Sequence, residues 1–260
     1  MILNKIIEEK KKEIDGKKAQ TPIAAVIDEA DRLKSERKHN FFKHSISKPH
    51  KIHLIAEVKK ASPSAGVIRR DFDPLKIASI YEANGASAIS VLTDEKFFKG
   101  SLSHLEAIKK NVSVPVLRKE FVIDEYQIYE SVCAGADALL LIADLLSPEE
   151  LKRFLAICES YSMDALVEIH SEEDAEKAMN TGCAIIGINN RNLHSLKVDV
   201  KTTPRLLKMI SEDKIIVSES GIHDRKDIQY LLSLGINAVL IGEALMASDD
   251  IGSKIRDLLS

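Results

Sequence analysis

The stretch Ile55-Ala56-Glu57-Val58-Lys59 sets a carboxylate and an ammonium two residues apart in an otherwise apolar run. Alternation along an extended chain turns Glu57 and Lys59 to the same side, and two inward charges are costly unless paired or used. Similar interruptions recur downstream. Pro115-Val116-Leu117-Arg118-Lys119-Glu120-Phe121 offers a second lysine with Phe121 on its face, and Leu166-Val167-Glu168-Ile169-His170 breaks an apolar run with a second carboxylate. Burial would raise the pKa of Glu168 and a nearby lysine would lower it, a tuning suited to proton transfer. The alternatives are a structural ion pair at Glu57/Lys59, a solvated rim lysine at 119 and a surface glutamate at 168. In Gly187-Ile188-Asn189-Asn190-Arg191, Asn189 and Arg191 share one side, where an amide can orient a hydroxyl or carboxylate without carrying charge; an Asx turn is the alternative.

Two further stretches suit an anion. Ser218-Glu219-Ser220-Gly221-Ile222 and Ile241-Gly242-Glu243-Ala244 combine small residues with N–H groups at helix starts, a means of holding phosphate, with glycine turns as the alternative. The segment Lys60-Ala61-Ser62-Pro63-Ser64-Ala65-Gly66 reads as a long loop able to act as a lid. Phe97, Phe98 and Phe121 bring aromatic rings to the same region, although phenylalanines also serve a core. Together these groups describe a pocket for a small, phosphorylated, hydroxylated and partly aromatic molecule. Of the eight histidines, His50-x-x-His53 comes nearest to a metal-binding spacing, so no metal is expected. Cys133, Cys158 and Cys183 contain no CxxC and read as buried thiols.

Such groups can converge only if the elements carrying them share one end of a fold. From residue 53 onward, β-rich apolar runs alternate with amphipathic stretches. The runs are His53–Val58, Ala86–Leu92, Val114–Leu117, Ala138–Ile142, Ala165–Ile169, Ile185–Ile188, Ile215–Val217 and Ala238–Ile241. Helices are predicted over Pro74–Asn84, Leu102–Lys110, Glu125–Ala134, Pro148–Ser160, Glu172–Asn180, Thr203–Ile210, Asp224–Leu234 and Glu243–Leu259. Gly85, Gly135, Gly182 and Gly235 each follow a helix and precede a strand, and polar strand ends recur about every 26 residues. Eight such units close into a parallel β/α (TIM) barrel, whose chemistry gathers at the C-terminal strand ends, whereas an open doubly wound sheet has fewer strands.

Residues 1–52 lie outside this count and read as two amphipathic helices. The Lys/Glu run over 8–18 is taken as a solvated face. The extension either covers the mouth of the barrel or plugs its bottom. The whole chain, 1–260, is read as a single domain.

Net charge is −3, from 37 basic and 40 acidic residues, so no global field favours nucleic acid or an anionic membrane. The longest apolar stretch, Ala138–Ala143, is far too short to span a bilayer, and the N-terminus lacks a secretory pattern. A cytoplasmic protein is expected.

The motifs quoted above, together with Val91-Leu92-Thr93-Asp94 and Phe98-Lys99-Gly100-Ser101, resemble the strand-end signatures of the indole-3-glycerol-phosphate synthase family of tryptophan biosynthesis, in the same order over nearly the whole chain. The resemblance implies conversion of 1-(2-carboxyphenylamino)-1-deoxyribulose 5-phosphate to indole-3-glycerol phosphate with loss of CO₂ and water, by a monomer without metal or organic cofactor. It implies Lys119 as general acid, Glu168 as proton-transfer carboxylate, and Lys59 as holder of the substrate carboxylate or second acid. Glu57 and Asn189 would orient lysines and hydroxyls, and Glu219 with Ser220 would meet the ribulose. Gly221 and Gly242 would hold phosphate, with backbone rather than side-chain contact beside Glu243. Phe98 and Phe121 would flank the aryl ring, Ser62 and Pro63 would contact substrate, and Arg191 would either do so or bridge to Glu57. The alternatives are a Schiff-base phosphosugar lyase, in which Lys59 or Lys119 is the nucleophile, and a non-catalytic phosphosugar-binding barrel.

Overall fold

The structure, a computed structural model, describes residues 2–48 and 51–260. Eight parallel strands close on themselves: β1 (His53–Val58), β2 (Ala88–Leu92), β3 (Val116–Lys119), β4 (Ala138–Ile142), β5 (Asp164–Ile169), β6 (Ile185–Asn189), β7 (Ile215–Glu219) and β8 (Ala238–Ile241). Each pairs with its sequence neighbours, and β1 closes the ring against β8, with His53 opposite Ala238 and Ala56 opposite Ile241. The strands are buried on both faces, so they read as Val/Ile/Leu runs with little alternation. Helices cover the outside. Their ends follow local chemistry: Ser147 and Glu150 form a reciprocal capping box ahead of Pro148–Ser160, and Gly85, Gly135, Gly182 and Gly235 all take positive φ after helices.

Several boundaries differ from those expected, for physical reasons. The third strand is Val116–Lys119 rather than 114–117, and the sixth and seventh run on to Asn189 and Glu219. A polar side chain does not end a ladder in a barrel, because the backbone pairs on regardless; Leu92 stands opposite Lys119, and Asn189 opposite Glu219. The single helix expected over Glu243–Leu259 is two, Glu243–Met246 and Ile251–Leu259, because Asp250 caps the second by accepting from the Ser253 N–H. The segment expected to be a loop after β1 contains a two-stranded hairpin, Ala61–Ser62 with Gly66–Val67, whose turn needs the positive φ of Gly66. Cys158 and Cys183 are buried, but Cys133 is only half-buried. His53 bonds Ser87 Oγ and the Lys48 carbonyl, while His50 lies outside the described residues.

The N-terminal extension does both things considered for it. Helix α1 (Ile2–Gln20) begins at the C-terminal mouth of the barrel, where Ile2, Leu3 and Ile6 line its cavity. Helix α2 (Ile23–Leu33) descends beside the helix Glu125–Cys133. A third, short helix, Phe41–Ser45, was not expected; with it Phe42 and Ile46 are fully buried against the apolar interior of the barrel. There the Lys43 N–H donates to Asp164, the first residue of β5, and Arg37 donates to the Ala136 and Tyr161 carbonyls. Among the described residues no helix is long and apolar enough to cross a membrane.

The Lys/Glu face of α1 is not simply solvated. Lys10 is 1% exposed, with its ammonium 2.6 Å from Glu13, 3.2 Å from Asp94 and 3.1 Å from Glu120. Burial alone would depress this ammonium, but Glu120, Glu13 and Asp94 outweigh it and hold Lys10 above the ordinary lysine range. Glu120 also accepts from Thr93 Oγ1, which accepts from Arg118, whose guanidinium donates onward to Ser131 and Glu130. Lys10 therefore fastens α1 to the ends of β2 and β3. Removing one member of a buried charge cluster costs roughly 3–5 kcal/mol because its partners stay desolvated. Lys10→Met is expected to lower unfolding stability by about that much, as read from urea midpoints, while Lys5→Met on the same helix changes it little.

Candidate active site

The inward positions of the eight strands stack an apolar column through the barrel, with Ile55, Leu117, Leu140, Leu166, Val217 and Leu240 among its members. Two residues further along β1, β3, β5 and β7, on the same faces, the column gives way to charged groups. Glu57, Lys59, Lys119, Glu168, Asn189, Glu219 and Gly242 line one cavity of about 340 Å³, within the range of small-molecule sites. Ser62, Pro63, Phe98, Phe121, Arg191, Ser220 and Gly221 line it too, so the structure brings every expected site residue to one mouth. Most of the charged groups stand on strands, whose paired backbone fixes them.

At the centre, Lys119 Nζ donates to Glu168 Oε2 and Glu219 Oε2, each at 2.7 Å, and Asn189 Nδ2 donates to Glu168 Oε1 at 3.0 Å. Burial alone would depress the Lys119 ammonium, but the carboxylates of Glu168 and Glu219 outweigh it and hold the lysine above its usual range. Burial would likewise raise Glu168, yet the Lys119 charge and the bonds from Lys119 and Asn189 keep it below the usual carboxylate range. Glu219 goes the other way. Burial pushes its carboxyl up to about 8, repulsion from Glu168 and Glu57 adds to this, and Lys119 only partly opposes it. Its Oε1 is buried and accepts no hydrogen bond among the described residues. The pattern is an ammonium between two carboxyl groups pushed apart in acidity, Glu168 below and Glu219 above the ordinary carboxylate range.

Across the cavity, Lys59 Nζ lies 2.6 Å from Glu57 Oε1. The backbone carbonyl of Glu57 accepts from the buried Tyr81 hydroxyl at 3.0 Å, fixing the strand end. Gly242 is necessary here for a reason its sequence context did not reveal: a Cβ at 242 would collide with the Glu57 carboxylate and crowd its Cβ. Arg191 does not bridge to Glu57. Its guanidinium reaches Glu243 Oε2 at 3.3 Å and donates to the Leu196 carbonyl. The Glu243 side chain is thereby neutralised beside the backbone proposed to meet an anion.

Ser220 and Gly221 are both left-handed, with φ 65° and 75°. A non-glycine residue there is strained by about 1 kcal/mol, and Asn190 offsets it by donating from Nδ2 to the Ser220 carbonyl at 3.0 Å. Thr203 anchors Asn190 in turn, donating from both its N–H and its hydroxyl to Oδ1. A Cβ at 221 would meet Val198 and Val200, so this glycine answers to packing as well as to φ. Asn190 is the residue sequence reasoning passed over, seen only as part of a motif; being outward-facing and buried, its role depends on the Ser220 carbonyl 30 residues on, just past the end of β7. Phe98 and Phe121 stack at 5.9 Å with a 40° tilt beneath Ile2, Leu3 and Ile6. The cavity thus has a charged wall, an aromatic wall under an apolar cover, and a backbone-lined end.

Comparison with known proteins gives consistent results. The profile of the family described as indole-3-glycerol phosphate synthase matches residues 3–258. An indole-3-glycerol phosphate synthase of Alkaliphilus metalliredigens is 46% identical over 260 residues, covering 100% of this chain and 98% of the relative. One from Caldanaerobacter subterraneus subsp. tengcongensis is 49% identical over 250 residues, covering 96% and 95%. Among solved structures, a thiamine phosphate pyrophosphorylase from Pyrococcus furiosus superposes with TM-score 0.59 at 12% identity, covering 80% of this chain and 93% of that one, a likeness of fold alone.

Two expectations follow from the electrostatics and the packing. Between the ordinary carboxyl value of 4.5 and about 8, the folded chain keeps a proton on Glu219 that the unfolded chain has lost, so this group's contribution to stability falls as pH rises through that window. In Glu219→Gln that decline should disappear, narrowing the difference in urea midpoint between pH 6 and pH 8.5; equal pH dependence in both proteins would place the proton elsewhere. Gly242→Ala should displace Glu57 from Lys59 and lower kcat/KM by at least about tenfold. A phosphate-free substrate analogue should lose affinity as well, which a glycine serving phosphate alone would not cause.

Proposed function

The chain belongs to the indole-3-glycerol phosphate synthase family, and from that premise we propose how its residues divide the ring closure of 1-(2-carboxyphenylamino)-1-deoxyribulose 5-phosphate, with loss of CO₂ and water. The observation that carries the reading is the Lys119 ammonium held at 2.7 Å by two carboxylates, inside a barrel mouth that also holds Lys59. Ring closure needs the ribulose carbonyl made electrophilic while the anilino ring carbon attacks it. A fixed cation in a low-dielectric mouth does this by stabilising the developing oxyanion and passing it a proton.

Lys119 is the acid in this scheme. Carbon dioxide leaves from the ionised carboxylate with no proton released, its electron pair restoring the aromatic ring; in the dehydration that follows, Glu168, ionised and aligned by Asn189, takes the proton lost from the C1 methylene and passes one to the departing hydroxyl, which leaves as water. Lys59, on the opposite side, holds the substrate carboxylate until it leaves, with Glu57 setting the position of its ammonium. Phe98 and Phe121 flank the aryl ring under the apolar cover of α1. Glu219 and Ser220 face the ribulose hydroxyls, and the backbone at Gly221 and Gly242 takes the phosphate. Ser62 and Pro63 border the site from the hairpin, and Arg191 holds Glu243 away from the anion.

Protonation of Glu219 fits this traffic. With Lys59 and Lys119 against Glu57 and Glu168, the resting site is near neutral, and a further ionised carboxylate would repel a substrate that brings both a carboxylate and a phosphate. A Schiff-base lyase fits less well, since its lysine must be an unprotonated amine, whereas the neighbours of Lys119 hold it charged. The chain is proposed to work in the cytoplasm as a monomeric single domain, on a small molecule and without nucleic acid.

Purified protein given the carboxyphenylamino ribulose phosphate should develop indole fluorescence without added cofactor. Lys119→Met should fold but lose several orders of magnitude in kcat, since positioned proton transfer contributes roughly 10²–10⁴-fold and charge stabilisation about 10²–10³-fold. A variant keeping more than about a tenth of the wild-type rate would remove Lys119 from the chemistry.

A further inference from the structure

Three consecutive strand-end loops carry a second group of polar side chains just outside the catalytic cavity. Asp144 sits in the turn Ala143–Leu145 after β4, His170 directly follows β5, and His194 lies in the segment after β6. In sequence they are 26 and 24 residues apart, one β/α unit per step, so the fold places them at corresponding positions around the rim. Each offers one ligand-type atom, and the three atoms lie within 4.8 Å of one another, the one such group of three among the described residues. His194 Nε2 is 2.9 Å from Asp144 Oδ2, and the two imidazoles stand 5.9 Å apart, tilted by 48°. None of the three lines the catalytic cavity.

A second, independent feature prepares one of these rings for a ligand. His170 Nδ1 is 3.0 Å from Oδ2 of Asp174, a buried carboxylate that also accepts from the His170 backbone N–H. Asp174 is itself held by its place in the first turn of the helix Glu172–Met179, where its N–H donates to Ser171 Oγ. A carboxylate on one imidazole nitrogen fixes the ring and its tautomer and leaves the other nitrogen with a lone pair, the arrangement that supports histidines bound to metal.

We propose that Asp144, His170 and His194 form a site for one divalent transition-metal ion of the Zn²⁺ type, with Asp174 as the supporting carboxylate. Two imidazoles and a carboxylate are a donor set for a borderline ion, whereas Mg²⁺ and Ca²⁺ require oxygen throughout. Water completes the coordination on the open side, where His194 is exposed. The ion ties the segment after β6 to the ends of β4 and β5. That segment also supplies Arg191, Leu193, Leu196 and Val198 to the cavity wall, and Val198 packs on Gly221. The site is therefore a clip acting on one wall of the catalytic mouth from outside, with no part in the reaction itself.

Calorimetric titration of the full chain with ZnCl₂ at pH 7.5 should show one ion bound per chain, with a rise in Tm. Affinity should fall by about 10–100-fold in Asp174→Asn, which removes only the support, and by more than that in His194→Ala, whose exposed position leaves folding intact. Co²⁺ should give a d–d absorption band without thiolate charge transfer. Equal Zn²⁺ affinity in wild type and His194→Ala, absence of binding by wild type, or a Co²⁺ spectrum with thiolate bands would each overturn the assignment.

Discussion

The ammonium of Lys119 between Glu168 and Glu219 constrains everything else in the mouth. A charge inside a barrel cannot be screened by water, so its counter-charges must come from neighbouring strands at fixed distances. Two carboxylates at 2.7 Å more than satisfy one ammonium, and the excess shows in the acidity of Glu219, which burial and the neighbouring Glu168 push above the ordinary carboxylate range. Once Lys119 is fixed, Asn189 has a defined task at Glu168, and the Glu57–Lys59 pair across the cavity must balance its own charge. Gly242 then has to lack a side chain so that Glu57 fits. The chain of dependence runs from charge, to spacing, to the size of a residue on the last strand.

Alternation along β3 divides two electrostatic systems that share no hydrogen bond or ion pair between side chains among the described residues. Lys119 and Phe121 face the cavity, while Arg118 faces the surrounding helices and Thr93, and Glu120, which also borders the cavity, gives its carboxylate to Thr93 and Lys10. The outer system reaches Lys10 on α1, so the strand that carries Lys119 also holds the helix whose Ile2, Leu3 and Ile6 cover the aromatic wall. Excluding water there strengthens the field around Lys119. At the other end of the extension, Phe42 and Ile46 fill the barrel bottom, so one N-terminal segment closes both ends of the apolar column.

The architecture was legible because the β/α units repeat one local grammar, an apolar run followed by a helix, with a left-handed glycine after four of the helices, at Gly85, Gly135, Gly182 and Gly235. The inward polar groups were legible for a related reason, since Glu57, Lys59, Lys119, Glu168 and Asn189 interrupt runs where nothing polar is needed for folding. Strand ends were misplaced because a charged side chain looks like a terminus in sequence, while the ladder continues through Lys119, Asn189 and Glu219. Lys10 could not be read from its neighbours: among interleaved lysines and glutamates, only the distant Asp94 and Glu120 single it out. The same holds for Asn190, whose partner is a backbone carbonyl on the next β/α unit, and for the fit of Glu57 against Gly242 across the barrel closure.

The two ends of the cavity solve different physical problems by different means. Where the chemistry demands charge at a fixed distance, the groups stand on paired strands and their energies are set by burial and by one another. At the end proposed to meet an anion, Arg191 is bonded to Glu243, and backbone in left-handed geometry lines the cavity at Ser220 and Gly221. That geometry is locally unfavourable, and it persists because Asn190, Thr203 and Ser218 form a buried hydrogen-bonded set behind it. The strain is thus confined to a short stretch of backbone, while Lys119 and Glu168 stand on regular strand.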